Sequence, residues 1–285
     1  MTEFDPLVQR LPLFSHAEST GSTNTDLIHG TTDGSLPSFK ELPDFAVRVA
    51  DFQNAGRGRS GRTWLAPAGS SLFVSVLLKP SPAISVECFS WLPLMAGLAM
   101  SRAVRGILPS DLSVGIKWPN DVLISSDSQA AQSFGGYLKV SGVLSELLPD
   151  LSGVVVGAGL NLTQTRDELP VETATSIRLA LAEANRESEQ PTRAEVLGSY
   201  LDELLALYRP FVSATGDAQA SGLRDAVLQN CFTLDRRVRV ILPDASEQLG
   251  VAKGIDFTGR LQVLFDHEDA VRAVAAGDVM HLRHN

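Results

Sequence analysis

Gly56-Arg57-Gly58-Arg59-Ser60-Gly61-Arg62-Thr63-Trp64 stands between two apolar runs, Phe45-Ala46-Val47-Arg48-Val49-Ala50 and Leu72-Phe73-Val74-Ser75-Val76-Leu77-Leu78. The runs read as strands, the second largely buried, and the segment between them as a loop. Glycines let backbone amides approach an anion closely. Arginines supply forked, charge-assisted hydrogen bonds to phosphate or carboxylate. The pattern is not a Walker loop, because no Gly-Lys-Ser/Thr follows. It is not a dinucleotide fingerprint either, because no helix pattern begins at its third glycine. A solvated basic loop or a nucleic-acid patch is the plainer reading. The strands on both sides, with Gln53 and Trp64 bracketing the loop, favour an ordered anion site.

Outward from this loop, helix and strand signals are interspersed without regular alternation. Trp91, Leu94, Met95 and Leu98 follow helical spacing and predict an amphipathic helix over 91–107. Strands are predicted near 113–117, 121–125, 138–147 and 153–161, with a polar loop at 126–136 ending in Gly135-Gly136. Thr192-Arg193-Ala194-Glu195 is a capping box. It opens a helix with the apolar stripe Val196, Leu197, Tyr200, Leu201, Leu204, Leu205 and Tyr208. A short helix capped by a hydroxyl or Asn is predicted at Ser22–Asp26, a loop at 30–44 and a loose leader over 1–14. The pattern predicts an α+β fold, a mixed sheet packed with helices.

Past residue 222 the texture changes to short β-like runs at 238–242, 249–255, 261–265, 270–274 and 279–282. Pro243-Asp244, Thr258-Gly259 and Gly277-Asp278 punctuate them. This spacing predicts a small barrel. The expected division is 1–222 for a catalytic domain and 223–285 for the barrel.

The chain has 285 residues, a prior for one or two domains. Lys and Arg number 24 and Asp and Glu 33, a net charge of −9, which disfavours nucleic acid or an anionic membrane as partner. Cys88 and Cys231 form neither a CxxC nor a zinc pattern, as expected of a protein in a reducing cytoplasm. The longest apolar stretch, Phe89 to Met100, is too short to span a bilayer, and the N-terminus lacks the pattern of a signal peptide.

Three further segments carry chemistry. Lys117-Trp118-Pro119-Asn120-Asp121 places a lysine at one strand end and an Asn-Asp pair at the next strand start, a set able to serve phosphate and Mg2+, or simply a polar turn. Lys139-Val140-Ser141-Gly142-Val143-Leu144 sets a lysine in an apolar strand, which requires a negative partner if buried. Gly157-Ala158-Gly159-Leu160-Asn161 ends a strand in small residues and an amide.

In this order, with Ser22-Thr23-Asn24 and Gln53 ahead of them, these segments resemble the biotin–protein ligase family. Arg236-Arg237-Val238-Arg239-Val240, Gly254-Ile255-Asp256, Gly259-Arg260 and Gly277-Asp278 resemble that family's terminal domain. The resemblance implies a class II aminoacyl-synthetase-like catalytic domain followed by a Src-homology-3-like barrel. It implies ATP-dependent formation of biotinyl-5′-AMP and transfer of biotin to a lysine of a biotin carboxyl carrier domain. Carried over by motif, Ser22, Thr23, Asn24 and Gln53 would line the biotin pocket, and Arg57, Gly58 and Arg59 would close over the biotin tail and phosphate. Lys139 would hold the carboxylate or acyl-phosphate oxygens. Gly56, Arg59, Arg62, Trp64, Lys117, Asn120 and Asn161 would form the ATP site, with Trp64 on adenine and Asn161 reading its edge. Lys139, Arg57, Arg59, Lys117 and Asp121 would be catalytic, and Asn120 and Asp121 would neighbour Mg2+. About twenty residues precede Ser22, too few for the DNA-binding unit many members carry. A ligase-only protein is therefore expected, as a monomer or weak homodimer. A lipoate or octanoate ligase or transferase of the same fold is the alternative. A biotin-sensing regulator and a non-catalytic carrier-binding protein are the readings outside enzymology.

Overall fold

The computed structural model describes residues 3–126, 131–132, 135–242, 246–274 and 278–281. The expected turns at Pro243-Asp244 and Gly277, and most of the 126–136 loop, lie outside these residues.

Strands β1 (Phe14–Ala17), β2 (Ala46–Ala50), β3 (Ser71–Leu78), β4 (Val114–Lys117), β5 (Asp121–Ser125), β6 (Tyr137–Leu147) and β7 (Val154–Asn161) form one sheet in the order β1-β2-β3-β7-β6-β5-β4. β1 and β2 run parallel and the other neighbours antiparallel, so the sheet is mixed, as expected. Alternation sorts its residues between two faces. Val74, Val76, Val156, Ala158, Val140 and Val143 join the main core with two long helices, Trp91–Ile107 and Arg193–Ser213. The longer helix begins at the expected capping box: Thr192 Oγ1 accepts from the Glu195 amide, and the Glu195 side chain accepts from the Thr192 amide. The opposite face carries a short helix, Thr23–His29, whose Leu27 and Ile28 pack with Leu36, Phe39 and Leu42 over Ala46, Leu77 and Val155.

That face holds the candidate site, and a β-bulge shapes it. Along β5 and β6, Asp121 pairs with Gly142 and Val122 with Ser141, but Leu123 pairs with Lys139. The register skips Val140. A bulge shifts alternation by one residue, so Val140 and Val143 both enter the core while Lys139 and Gly142 share the other face.

The expectation of a loose leader is corrected. Phe4 is fully buried, a short helix covers Asp5–Val8, and β1 extends the sheet by pairing with β2. The Phe4 ring meets Phe14 at 5.8 Å and His16 at 5.2 Å, and the Arg193 guanidinium lies over it. A charged cluster closes this corner: Arg193 bonds Glu3 and Asp51, and Asp51 also meets His16 at 2.8 Å.

A second, antiparallel sheet follows: β8 (Arg237–Ile241), β9 (Glu247–Ile255), β10 (Leu261–Phe265), β11 (Arg272–Val274) and β12 (Asp278–His281), in the order β11-β10-β9-β8-β12. Its first strand lies on the run expected at 238–242. Residues Leu223–Gln229 are helical, and Cys231 still pairs with Ile116 of the first sheet. Among the described residues no helix is long and apolar enough to cross a membrane.

Candidate active site

Ser22 holds the N-cap position of the Thr23–His29 helix but makes no side-chain cap bond, contrary to expectation. The polar groups nearby point into the sheet. Gln53 Oε1 accepts from the Thr23 amide at 2.8 Å and from Thr23 Oγ1 at 3.1 Å. Ser75 Oγ donates to Asn24 Oδ1 at 2.6 Å and stands 2.7 Å from Thr23 Oγ1. Asn24 Nδ2 donates to the Leu144 carbonyl and, at 2.8 Å, to Glu146 Oε2. Behind this row a buried ion pair fixes the helix to β2: Arg48 Nε donates to Asp26 Oδ2 at 2.9 Å, and Thr20 Oγ1 donates to the same carboxylate. A buried charge pair survives only when its lone pairs are satisfied in this way.

The glycines of Gly157-Ala158-Gly159 are explained by what lies over them. A Cβ at Gly157 would overlap the Asn24 side-chain amide, and one at Gly159 would come within 2.8 Å of the Trp64 ring. Gly142 makes the same room, 2.8 Å from the other edge of the indole. Trp64 therefore lies flat on two neighbouring strands, with Lys139 Nζ 5.3 Å from its ring centroid. Asn24 and Trp64 sit two residues apart along β7, on one face.

A cluster of charge stands next to the indole. Lys139 Nζ lies 2.6 Å from Asp121 Oδ1, and Lys117 Nζ 3.7 Å from Asp121 Oδ2. The negative partner expected for Lys139 is thus Asp121. Burial pushes the Lys117 ammonium below the usual lysine range, with Asp121 opposing and Lys139 adding to the fall. Arg59 Nη1 donates to Asn120 Oδ1 at 3.3 Å; burial lowers its guanidinium pKa, again against Asp121. Arg57 takes another direction. Its Nη2 donates to Glu146 Oε2 at 2.8 Å and to Thr25 Oγ1 at 3.1 Å, toward the Asn24 end. The loop folds back at Ser60 and Gly61, both left-handed, at φ 56° and 73°.

One cavity of about 640 Å³ runs through these groups, within the size range of small-molecule sites. Ser22, Thr23, Asn24 and Gln53 line one end, and Lys117, Asp121, Lys139 and Trp64 the other, with Arg57, Gly58, Arg59 and Arg62 along its length. Asn120 and Asn161 also border it. Gly56 borders instead a second cavity, of about 840 Å³, which shares the loop and opens toward the Thr258-Gly259-Arg260 turn. The structure thus gathers around the loop every site residue singled out in the sequence.

Asn161 borders the cavity from the end of β7. Its Nδ2 donates to the Thr175 carbonyl at 3.0 Å and its Oδ1 accepts from Gln164 at 3.2 Å. These bonds use one of its two Nδ2 hydrogens and one of its two Oδ1 lone pairs. Sequence reasoning missed Ser75 and Glu146, which complete the bonds of Asn24. It also missed Ile241, Val279 and Met280 of the second sheet, which wall the cavity. Alternation could have flagged Ser75 and Glu146 as polar residues within apolar strands. Nothing local marks the other three.

A family model described as the biotin/lipoate A/B protein ligase family matches residues 17–161, and a second, described as the biotin protein ligase C terminal domain, matches 233–282. A biotin–[acetyl-CoA-carboxylase] ligase of Mycobacterium tuberculosis is 34% identical over 265 residues, spanning 93% of this chain and 87% of that protein. The chain belongs to the biotin/lipoate A/B protein ligase family. The bifunctional ligase/repressor BirA of Escherichia coli is 29% identical over 263 residues, spanning 89% of this chain and 71% of that relative. The fold is that of the biotin protein ligase from Aquifex aeolicus solved in complex with biotin and ATP, with a TM-score of 0.70, 24% identity and coverage of 95% of this chain and 99% of that one.

Proposed function

We propose that this ligase condenses biotin with ATP to biotinyl-5′-AMP and transfers the biotinyl group to a lysine of a biotin carboxyl carrier domain, that of acetyl-CoA carboxylase in the first instance. The carrying observation is the single cavity with a neutral amide-and-hydroxyl end at Asn24 and a cationic, aromatic end at Lys139, Lys117 and Trp64.

A biotin carboxylate oxygen attacks the α-phosphorus of ATP, the bond to the β-phosphate bridging oxygen breaks, and pyrophosphate leaves. The carrier amine then attacks the acyl carbon, AMP leaves, and the amine proton passes to solvent. Both steps join or separate anions, so the protein contributes positioning and fixed positive charge. The row Thr23, Asn24, Gln53 and Ser75 would orient the ureido ring. Lys139 would meet the carboxylate and then the acyl-phosphate oxygens, releasing Asp121 as it does so. Lys117, Arg59 and Arg62 would hold phosphate oxygens. Trp64 would stack on adenine, with Ile241, Val279 and Met280 covering the apolar end. The shared loop and the adjoining 840 Å³ cavity give the carrier lysine a route in.

Asn120 and Asp121 do not fit a magnesium ion held by the protein. Asp121 is paired with two lysines, Asn120 Oδ1 accepts from Arg59, and its Nδ2 donates to the Val143 carbonyl. Among the described residues no group of three His, Cys, Asp or Glu side chains is arranged to hold a metal ion. Such a site favours magnesium arriving on the nucleotide phosphates.

We read the second sheet as the Src-homology-3-like barrel of the 223–285 unit and the first as the class II synthetase-like unit of 1–222, working in the cytoplasm. The five antiparallel strands and the mixed seven-stranded sheet support this. Biotin-dependent exchange of pyrophosphate into ATP tests the function. Exchange with biotin and none with lipoate is expected; the reverse would overturn the proposal.

A further inference from the structure

One carboxylate oxygen, Glu146 Oε2, accepts from Asn24 Nδ2 and from Arg57 Nη2, each at 2.8 Å. Asn24 is 4% exposed inside the cavity, and Arg57 belongs to the arginine loop. We propose that Glu146 is a positioning residue that couples occupancy of the Asn24 end of the cavity to closure of the loop. This rests on the reading that biotin occupies that end.

Asn24 has little bonding capacity left. Both Nδ2 hydrogens are used, on the Leu144 carbonyl and Glu146, and Oδ1 already takes the Ser75 hydroxyl. What remains is one acceptor position on Oδ1, suited to a ligand N–H. A ligand bonding there polarises the amide, and hydrogen bonds in a chain strengthen one another. The next link is Nδ2 to Glu146, and the one after it is Glu146 to Arg57. Arg57 is further tied to Thr25, the residue after Asn24 on the same helix. The loop's first arginine is thereby held at the ligand end, while Arg59 faces the phosphate end through Asn120. An exposed ion pair alone is worth little. This one is anchored because Glu146, 24% exposed at its side chain, is also held from inside the cavity.

Coupling is reciprocal: what ligand does to the loop, the loop does to ligand affinity. The test is limited trypsin digestion of the full chain at Arg57, Arg59 and Arg62, with and without saturating biotin, alongside calorimetric biotin binding and a melting curve. In the parent, biotin should slow cleavage by about tenfold, within the usual range of such couplings. Glu146→Gln keeps an acceptor for Asn24 but removes the charge that holds Arg57. It should melt like the parent, yet bind biotin up to about tenfold more weakly, as reciprocity requires, and show less than about twofold protection at saturating biotin. Parental protection in Glu146→Gln would overturn the proposal. Should Glu146→Gln fail to fold, Thr25→Val carries the same test, because it removes the second bond to the same guanidinium: reduced protection supports the coupling and parental protection overturns it. Biotin binding without protection in the parent would overturn the coupling alone, whereas no binding in the parent would overturn the reading of the cavity as well.

Discussion

Lys139 Nζ lies 2.6 Å from Asp121 Oδ1, and the bulge that skips Val140 is what turns Lys139 toward Asp121's side of the sheet. The carboxylate faces two ammonium groups, so the cluster keeps one positive charge in excess. An arriving anion can take Lys139 while Asp121 retains Lys117. Lys139→Ala should therefore slow adenylate formation by about 10²–10³-fold, the usual cost of deleting a donor aimed at developing charge. Single-turnover quench of labelled ATP measures it, and a near-parental rate would refute the assignment.

Asp121→Asn should change the pH dependence. Burial lowers the Lys117 pKa and Asp121 opposes that fall. Removing the carboxylate lowers it further, so the alkaline limb of the adenylation rate should move to lower pH, as the working cation loses its proton sooner. Stability carries the matching sign. The unfolded chain binds this proton more tightly than the folded one. Stability therefore rises with pH between the lowered folded value and the ordinary lysine value, over a wider interval in the variant. Rate profiles and melting curves across the alkaline range check both. An unmoved limb would separate Lys117 from the chemistry.

Gly157 and Gly159 lie on the same face of β7, and the two glycines accommodate different partners. Gly157→Ala drives a methyl into the Asn24 amide and should weaken biotin. Gly159→Ala comes within 2.8 Å of Trp64 and should weaken ATP. Overpacking of this kind costs about 1–3 kcal/mol, so each loss should be roughly 5- to 100-fold. Separate KM values for biotin and ATP decide it. Equal effects on both substrates in both variants would contradict the division of the cavity.

Arg59→Gly should still form the adenylate but release it. The Arg59 bond to Asn120 is long, at 3.3 Å, and leaves the guanidinium available to clamp a phosphate. Losing about 3 kcal/mol of charge-assisted bonding speeds escape on the order of 100-fold. Incubation with biotin, ATP and serum albumin, followed by a biotin blot, should show albumin labelled by the variant. Equal and negligible labelling by both proteins would rule out the clamp.

Phe4→Ala should destabilise the fold by about 3–5 kcal/mol, the cost of emptying a buried aromatic site. Phe4 lies under Arg193 and against Phe14 and His16 and does not line the cavity. Chemical denaturation reads the loss, and biotin affinity should hold in the folded protein. An unchanged midpoint would restore the picture of a loose leader.

The sequence by itself determined the strands flanking the arginine loop, the two long helices, the capping box at Thr192 and the segments that carry the charges. These are local patterns: alternation, helical spacing, capping chemistry and clusters of one residue type act within a few positions. It also required a negative partner for Lys139 without naming one. The tertiary structure named Asp121, because strand pairing with a skipped residue decides which side chains share a face. It engaged the Asn161 amide with Thr175 and Gln164, gave Ser75 and Glu146 to Asn24 and buried Phe4. It also brought Ile241, Val279 and Met280 of the second sheet to the cavity. Each of these depends on which distant surfaces meet, and hydrogen bonds and buried area between distant segments leave no period in the chain that forms them.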